Sequence, residues 1–167
     1  MNDILLRAVE PEDVDFILEC ESDALNAKWS DYRAPFSRNQ LLTYALTYDA
    51  DPFKSGQLRL IIEAGDGPAG ILDLFDISEK DSKAFVGICI HPSKRNGGMG
   101  RKALECVKWY CKDRLGLSQL VAEVSTENAA AFSMFTGCGF DEIALLPRWH
   151  RIGLDYHDFH LLNFLLR

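Results

Sequence analysis

Three strand-like runs follow one another in the middle of the chain, and the turns between them are too short to hold a helix. Gln57–Glu63 (QLRLIIE), Ala69–Ile77 (AGILDLFDI) and Lys83–Ile90 (KAFVGICI) are rich in large and β-branched apolar residues, with GDGP joining the first two and SEKDS the next two. Connections of this length allow only hairpins, so the three runs form an antiparallel meander. The meander feeds directly into HPSKRNGGMGRKA at 91–103 and then into a helical pattern over Gly98–Leu115. Within it, Ala103, Leu104, Val107, Tyr110, Cys111 and Leu115 recur at three- and four-residue spacing, and Gly116 follows as a stop.

The flanks add elements of both kinds. Ile4–Val9 reads as a strand, and Pro11 opens a helix running to about Cys20. Residues 21–36 show no clean period and carry Trp29, Tyr32 and Phe36, as an ordered loop or short helix would. Ser37 and Gln40 fit a capping box for a helix over 38–47, and TYDADPFKSG reads as a turn-rich connection. Downstream come a strand (Gln119–Val124), a short helix (Asn128–Thr136) closed by Gly137, and a hairpin of 141–150 and 156–166 around Ile152-Gly153. The expected fold class is therefore α+β, a mixed α/β arrangement. A central, mostly antiparallel sheet of about seven strands carries roughly four helices, and residues 1–167 make one domain.

Composition narrows the function. Lys and Arg total 18 against 25 Asp and Glu, a formal charge of −7, whereas a nucleic-acid or membrane-surface binder presents a basic face. The balance leaves room for a cationic substrate, or is simply a soluble surface. The five cysteines show no CxxC and no disulfide spacing, and the four histidines lack the spacing of a zinc site, so no metal is expected. No apolar run approaches the ~18 residues of a membrane helix, and MNDILLRAVE is not a leader peptide. A reduced, cytoplasmic protein is the expectation, with no nucleic acid or membrane partner.

Why does a chain with 12 glycines place three of them at Gly97, Gly98 and Gly100? A strand, a glycine-rich turn and a helix N-terminus together offer unpaired backbone N–H groups and the positive end of the helix dipole, which suits an anion. Lys94, Arg95, Arg101 and Lys102 add charge nearby. Gly98-Met-Gly100-Arg-Lys-Ala103 formally matches the dinucleotide fingerprint, and Glu123 lies 20 residues beyond Ala103. In that fingerprint, however, the first glycine directly follows a strand inside a βαβ unit. Here seven residues, His91 to Gly97, intervene, and the preceding strands form a meander. A dinucleotide-binding protein stays as a remote alternative.

The stretch Ile90-His-Pro-Ser-Lys-Arg95-Asn-Gly-Gly98-Met-Gly100 resembles the acetyl-CoA motif of the GNAT superfamily of N-acetyltransferases, a hydrophobic strand, a proline and then [QR]-x-x-G-x-[GA]. Glu127-Asn128, Ala131, Phe135 and Cys138-Gly-Phe140 are similar to the family's N-x-x-A-x-x-x-Y-x-x-x-G-F element. The order of elements over 4–166 also fits, and the final hairpin, PRWHRIGLDYHDFHLLNF, resembles the ends of the ribosomal-protein and spermidine acetyltransferase branches. The resemblance implies that the coenzyme pyrophosphate lies on the amides of Arg95, Asn96, Gly97, Gly98, Met99 and Gly100. The pantetheine arm would run beside Cys89, Ile90 and His91 as a pseudo-strand, and Asn128, Ala131 and Phe135 would contact it from the next helix. Asn128 also fits an ordinary N-cap.

The implied reaction moves an acetyl group from acetyl-CoA to a primary amine: a polyamine, another small amine or a peptide N-terminus. Deprotonating an amine of pKa near 10.4 at neutral pH costs about 4.6 kcal/mol, and a carboxylate base is the usual help. Asp73 in GILDLF is the first candidate base, followed by Asp76 and Glu123. The backbone at Cys89 or Ile90 would polarise the carbonyl. The family's proton-donating tyrosine aligns with Phe135, which cannot donate. An acyl-CoA-binding module without catalysis is therefore the alternative, although a leaving thiol of pKa about 8.5 needs little assistance. Glu19, Glu21, Asp23, Asp31, Asp73 and Asp76 could line the acceptor cleft, with Trp149, Tyr156 and Asp158 contributing from the hairpin. A homodimer is left open.

Overall fold

The computed structural model describes residues 4–29 and 34–167. Seven strands form one sheet in the order β1-β2-β3-β4-β5-β7-β6. They are β1 (Leu5–Ala8), β2 (Leu58–Ala64), β3 (Gly67–Ser78), β4 (Lys83–Ile90), β5 (Gln119–Ser125), β6 (Asp141–Ile152) and β7 (Asp155–Leu165). The expected meander is β2-β3-β4, paired antiparallel throughout. Every other neighbouring pair is antiparallel except β4–β5, which is parallel. Parallel neighbours need a crossover, and α5 (Met99–Asp113) supplies it.

The alternation of β2 and β3 sorts their residues onto two faces. Leu60, Ile62, Leu72 and Leu74 join Ala103, Leu104, Val107 and Cys111 of α5, with Phe135 and Cys138 near α6 (Ala129–Gly137), in the larger core. On the opposite face Ile61 and Ile71 pack with Val14, Ile17 and Cys20 of α1 (Val14–Ser22) and Leu41 of α3 (Arg38–Thr47). Each face thus buries one stripe of each strand, the layering that amphipathic elements require.

Two short helices go beyond the four expected. Asp23 caps α2 (Ala24–Lys28) by accepting from the Asn26 N–H at 3.0 Å, and Asp51 caps α4 (Pro52–Ser55) through the Phe53 N–H at 3.0 Å. Neither is long enough to show a hydrophobic period, whereas the Ser37/Gln40 capping box of α3 was legible and is formed. Gly137 does not close its helix. The helix runs through Gly137, and the left-handed residue is Gly139, φ 83°. Gly137 is small for another reason: a Cβ there would lie 2.6 Å from the Arg101 guanidinium. The final hairpin is longer than expected and turns at Gly153, φ 63°, and Leu154.

Candidate active site

The parallel ladder between β4 and β5 is short. Lys83, Ala84 and Phe85 pair with Gln119, Leu120 and Val121, and then the pairing stops. From Val86 onward the two strands diverge, so the β5-facing amides and carbonyls of the last residues of β4 have no strand partner. A cleft of about 1450 Å³ opens along this seam. A typical single-ligand pocket is about 300–1,000 Å³, so there is room for two molecules side by side.

The end of the cleft at the glycine-rich loop is shaped by backbone. Asn96 and Gly98 both have left-handed φ angles, 63° and 76°, a conformation glycine adopts freely and asparagine tolerates better than most residues. That is why Asn96 can stand where a glycine is more usual. Gly98 is the N-cap of α5 with no side-chain cap, and a Cβ built on it meets nothing within 4 Å. The space beside it is open while the first N–H groups of α5 have no intrahelical acceptor. Gly100 is small for packing, since its Cβ would fall 2.4 Å from Met134 Sδ. The cations around the loop have contacts of their own. Arg95 pairs with Asp23 at 2.5 Å and donates to the Ile90 carbonyl, Lys94 pairs with Asp66, and the Arg101 guanidinium lies over Gly137. All three line the cleft, so their positive charge adds to that of the helix N-terminus where an anion would lie.

The opposite end is made of side chains on the α1/α3 face. Asp73 lies directly across from Gly87 in the β3–β4 ladder and across from Arg59 in the β2–β3 ladder. Arg59 grips both Asp73 oxygens, Nε to Oδ1 at 2.7 Å and Nη2 to Oδ2 at 2.9 Å, while Nη1 donates to Glu21 Oε1 at 3.0 Å. Burial pushes the Glu21 carboxyl above the usual glutamate range; Arg59 draws it back and Asp73 adds to the rise. Tyr44 lines the same end, its phenol pushed up by burial. Cys89 also lines the cleft, but hydrogen bonding with Cys20 and burial push its thiol far up. A thiol held protonated is a poor nucleophile, which favours direct transfer between two bound substrates over an acyl-cysteine intermediate.

Residues 3–141 match the family model described as "Acetyltransferase (GNAT) domain". The chain belongs to the GNAT acetyltransferase family. Spermidine N(1)-acetyltransferase of Escherichia coli (strain K12) is 23% identical over 137 residues, covering 82% of this chain and 72% of that protein. The crystal structure of spermidine N-acetyltransferase from Vibrio cholerae in complex with CoA and spermine superposes with a TM-score of 0.85 at 23% identity, covering 98% of this chain and 96% of that one. A chimera of the Vibrio cholerae enzyme and hSSAT gives 0.85 at 22% identity. The GNAT fold and an acetyl-CoA-dependent acyltransferase activity follow, and they replace the dinucleotide-binding alternative.

Within the GNAT frame, Cys89, Ile90, Arg95, Asn96, Gly98, Met99, Gly100, Asn128 and Ala131 line the cleft. His91 and Gly97 fall just outside it. The His91 ring stacks on Phe16 at 5.4 Å and its Nε2 is 3.4 Å from Glu19. Asn128 Oδ1 accepts from the Ala131 N–H at 3.1 Å, so the residue is an N-cap whose amide donors are not consumed by the cap. Phe135 is buried among core side chains, edge-on to Phe140 at 5.1 Å, instead of lining the cleft. Of the acids expected around the acceptor, only Glu21 and Asp73 line the cleft; Asp31 lies outside the described residues. Glu123 is held by Trp149 Nε1 at 3.0 Å and His150 Nε2 at 2.5 Å, and Asp158 accepts from the Arg148 N–H at 2.7 Å. The guanidinium of Arg148 covers the Tyr156 ring, so Arg148, Tyr156 and Asp158 brace the hairpin while Trp149 and His150 tie it to β5. Arg59 was missed. Its signal is a lone cation in the apolar strand QLRLIIE, on the same strand face as Ile61. Among the described residues no cluster of three metal-ligating side chains occurs, and no helix is long and apolar enough to cross a membrane.

Proposed function

We propose that the protein transfers the acetyl group of acetyl-CoA to a primary amine that enters over Gly87 on the α1/α3 face. The observation that carries this reading is the meeting of the open β4–β5 seam with the Glu21–Arg59–Asp73 network at Gly87. The thioester arm fits the seam and the amine fits the carboxylates. Asp73 has both oxygens committed to Arg59, so it serves to hold the guanidinium. Glu21, bonded once and raised by burial, is the better proton acceptor, directly or through a water. The amine nitrogen then attacks the thioester carbon as the C–S bond breaks, and a β5-facing amide of β4 stabilises the oxyanion. The thiolate leaves without a tyrosine and takes its proton from water. Spermidine N-acetyltransferases stand among the proteins this chain resembles, so polyamines belong in the acceptor panel beside monoamines and peptide N-termini. All five cysteines are free, as a reducing compartment such as the cytoplasm would keep them.

Thermal unfolding tests the coenzyme half. Acetyl-CoA at 100 times its Kd should stabilise the fold by about 2.7 kcal/mol, and NADH should not. A shift with NADH and none with acetyl-CoA would overturn the assignment. Thiol release with an amine panel tests the chemistry; tight acetyl-CoA binding without transfer to any amine would leave a coenzyme-binding module.

A further inference from the structure

The acceptor end of the cleft is walled by aromatic and apolar side chains. Leu25 and Trp29 come from α2 and its C-cap, Phe36 and Tyr44 from the start and body of α3, and Phe75 from β3. Leu25 is 51% exposed and Phe75 39%, so large apolar surface is left uncovered where a substrate would lie. Phe75 is also fixed in orientation, stacked on Phe85 at 5.6 Å between ring centroids. Beside it Gly87 leaves a slot. A Cβ on Gly87 would meet only Phe75 Cε1, at 3.7 Å, so packing does not demand glycine there. Asp73 is the cross-strand neighbour of Gly87, so a ring lying over Gly87 against Phe75 would carry its nitrogen toward a carboxylate.

The charges point the same way. Among the described residues lining the cleft the carboxylates are Glu21, Asp73 and Glu127. Glu21 and Asp73 share Arg59, and Glu127 pairs with Lys28 at 3.5 Å and His157 at 2.9 Å. The Lys28 ammonium also sits 4.3 Å over the Trp29 ring. An extended polyamine needs carboxylates spaced along its length, and each of these already carries a cation. One ammonium can be received at Glu21, which Arg59 holds through a single bond, but a second would have to compete with Arg59 for Asp73 or with Lys28 and His157 for Glu127. Resting on the acetyl-transfer reading above, we propose that the acceptor is a monoamine with a flat apolar body, an arylalkylamine being the simplest case, in preference to a polyamine.

The test measures thiol release at saturating acetyl-CoA with 2-phenylethylamine, tryptamine, butylamine, spermidine and spermine. The arylalkylamines should show kcat/KM at least about tenfold above spermidine, a difference that burial of one ring readily supplies. Their KM should rise less steeply with salt than that of spermidine, because a monoamine carries one charge for salt to screen and a polyamine several. Gly87→Val, which fills the slot without a backbone clash, should cut kcat/KM for arylalkylamines by at least about tenfold and for butylamine by less. The thermal shift with acetyl-CoA should be retained in that variant. Spermidine or spermine equalling the arylalkylamines would overturn the proposal while leaving acetyl transfer standing. An equal loss for all monoamines in Gly87→Val would overturn the slot. Transfer to no amine, with the acetyl-CoA shift intact, would overturn the acetyl-transfer reading and this proposal with it.

Discussion

The two ends of the cleft are built by different means. At the end proposed for the coenzyme, the distinctive feature is the main chain itself, with left-handed turns at Asn96 and Gly98. At the acceptor end the backbone is ordinary strand, and the work falls to Glu21, Arg59 and Asp73, brought together from α1, β2 and β3. A backbone-made site tolerates most side-chain changes and fails on backbone geometry. A site made of side chains does the reverse. The lesson is that a substitution's effect should depend on which kind of end it strikes, more than on its distance from the reacting atoms.

The largest effect should come from the acceptor end. Glu21→Gln keeps the shape and a hydrogen-bond acceptor for Arg59 but removes the proton acceptor, and kcat/KM should fall by roughly 10²–10⁴. Acetyl-CoA affinity should not move. In the unmodified enzyme the acid limb of the kcat/KM profile should lie above the usual glutamate pKa of about 4.3, because burial raises Glu21. Activity is lost as pH falls through that raised value, where the carboxylate gains a proton, and Glu21→Gln should abolish the limb. A limb unchanged in Glu21→Gln would move the base elsewhere.

The next effect strikes the other end. Gly98→Val puts a β-branched residue at φ 76° beside an open space, and acetyl-CoA affinity should drop by about 10²-fold. Gly98→Asn, which accepts the left-handed turn, should lose clearly less. Far-UV circular dichroism should be unchanged in both, and calorimetric titration reads the affinities. Equal losses in the two variants would mean that space, not conformation, is what the coenzyme end protects.

The smallest concerns neither end. Phe135 is 4% exposed and packed edge-on to Phe140, so Phe135→Tyr introduces a hydroxyl into the core. The expected result is a loss of about 1–3 kcal/mol in denaturant unfolding, with kcat unchanged. A rise in kcat would show instead that the ring edge reaches the leaving thiol.

The same contrast explains what could be read from the residues. The coenzyme end occupies one contiguous stretch, Ile90 to Gly100, with Asn128 and Ala131 close behind, and its signal is the glycine spacing itself. The meander was equally legible because hairpin connections leave little choice of topology. The acceptor end joins residues 14 and 38 positions apart. No local pattern marks Arg59 as the partner of Asp73; only the register of β2 on β3 does. Glu21 stood among the acids considered for the acceptor, but its elevation by burial depends on how α1 packs, which spacing does not reveal. The short helix α2, which supplies part of the apolar wall, has five residues and no period to recognise.

The open seam has a consequence for the lifetime of the protein as well as for its chemistry. Within the sheet, β1 to β4 and β5 to β6 are joined by only the three residue pairs at the start of β4 and β5. Beyond them the β5-facing main-chain groups of β4 have no strand partner, so this seam is where amide hydrogens should exchange first and where a protease should find its earliest opening. A pantetheine arm lying in the gap would bridge the two halves and slow both processes. The cellular supply of acetyl-CoA would then set how long each copy survives, and the enzyme would be most abundant when its own substrate is plentiful.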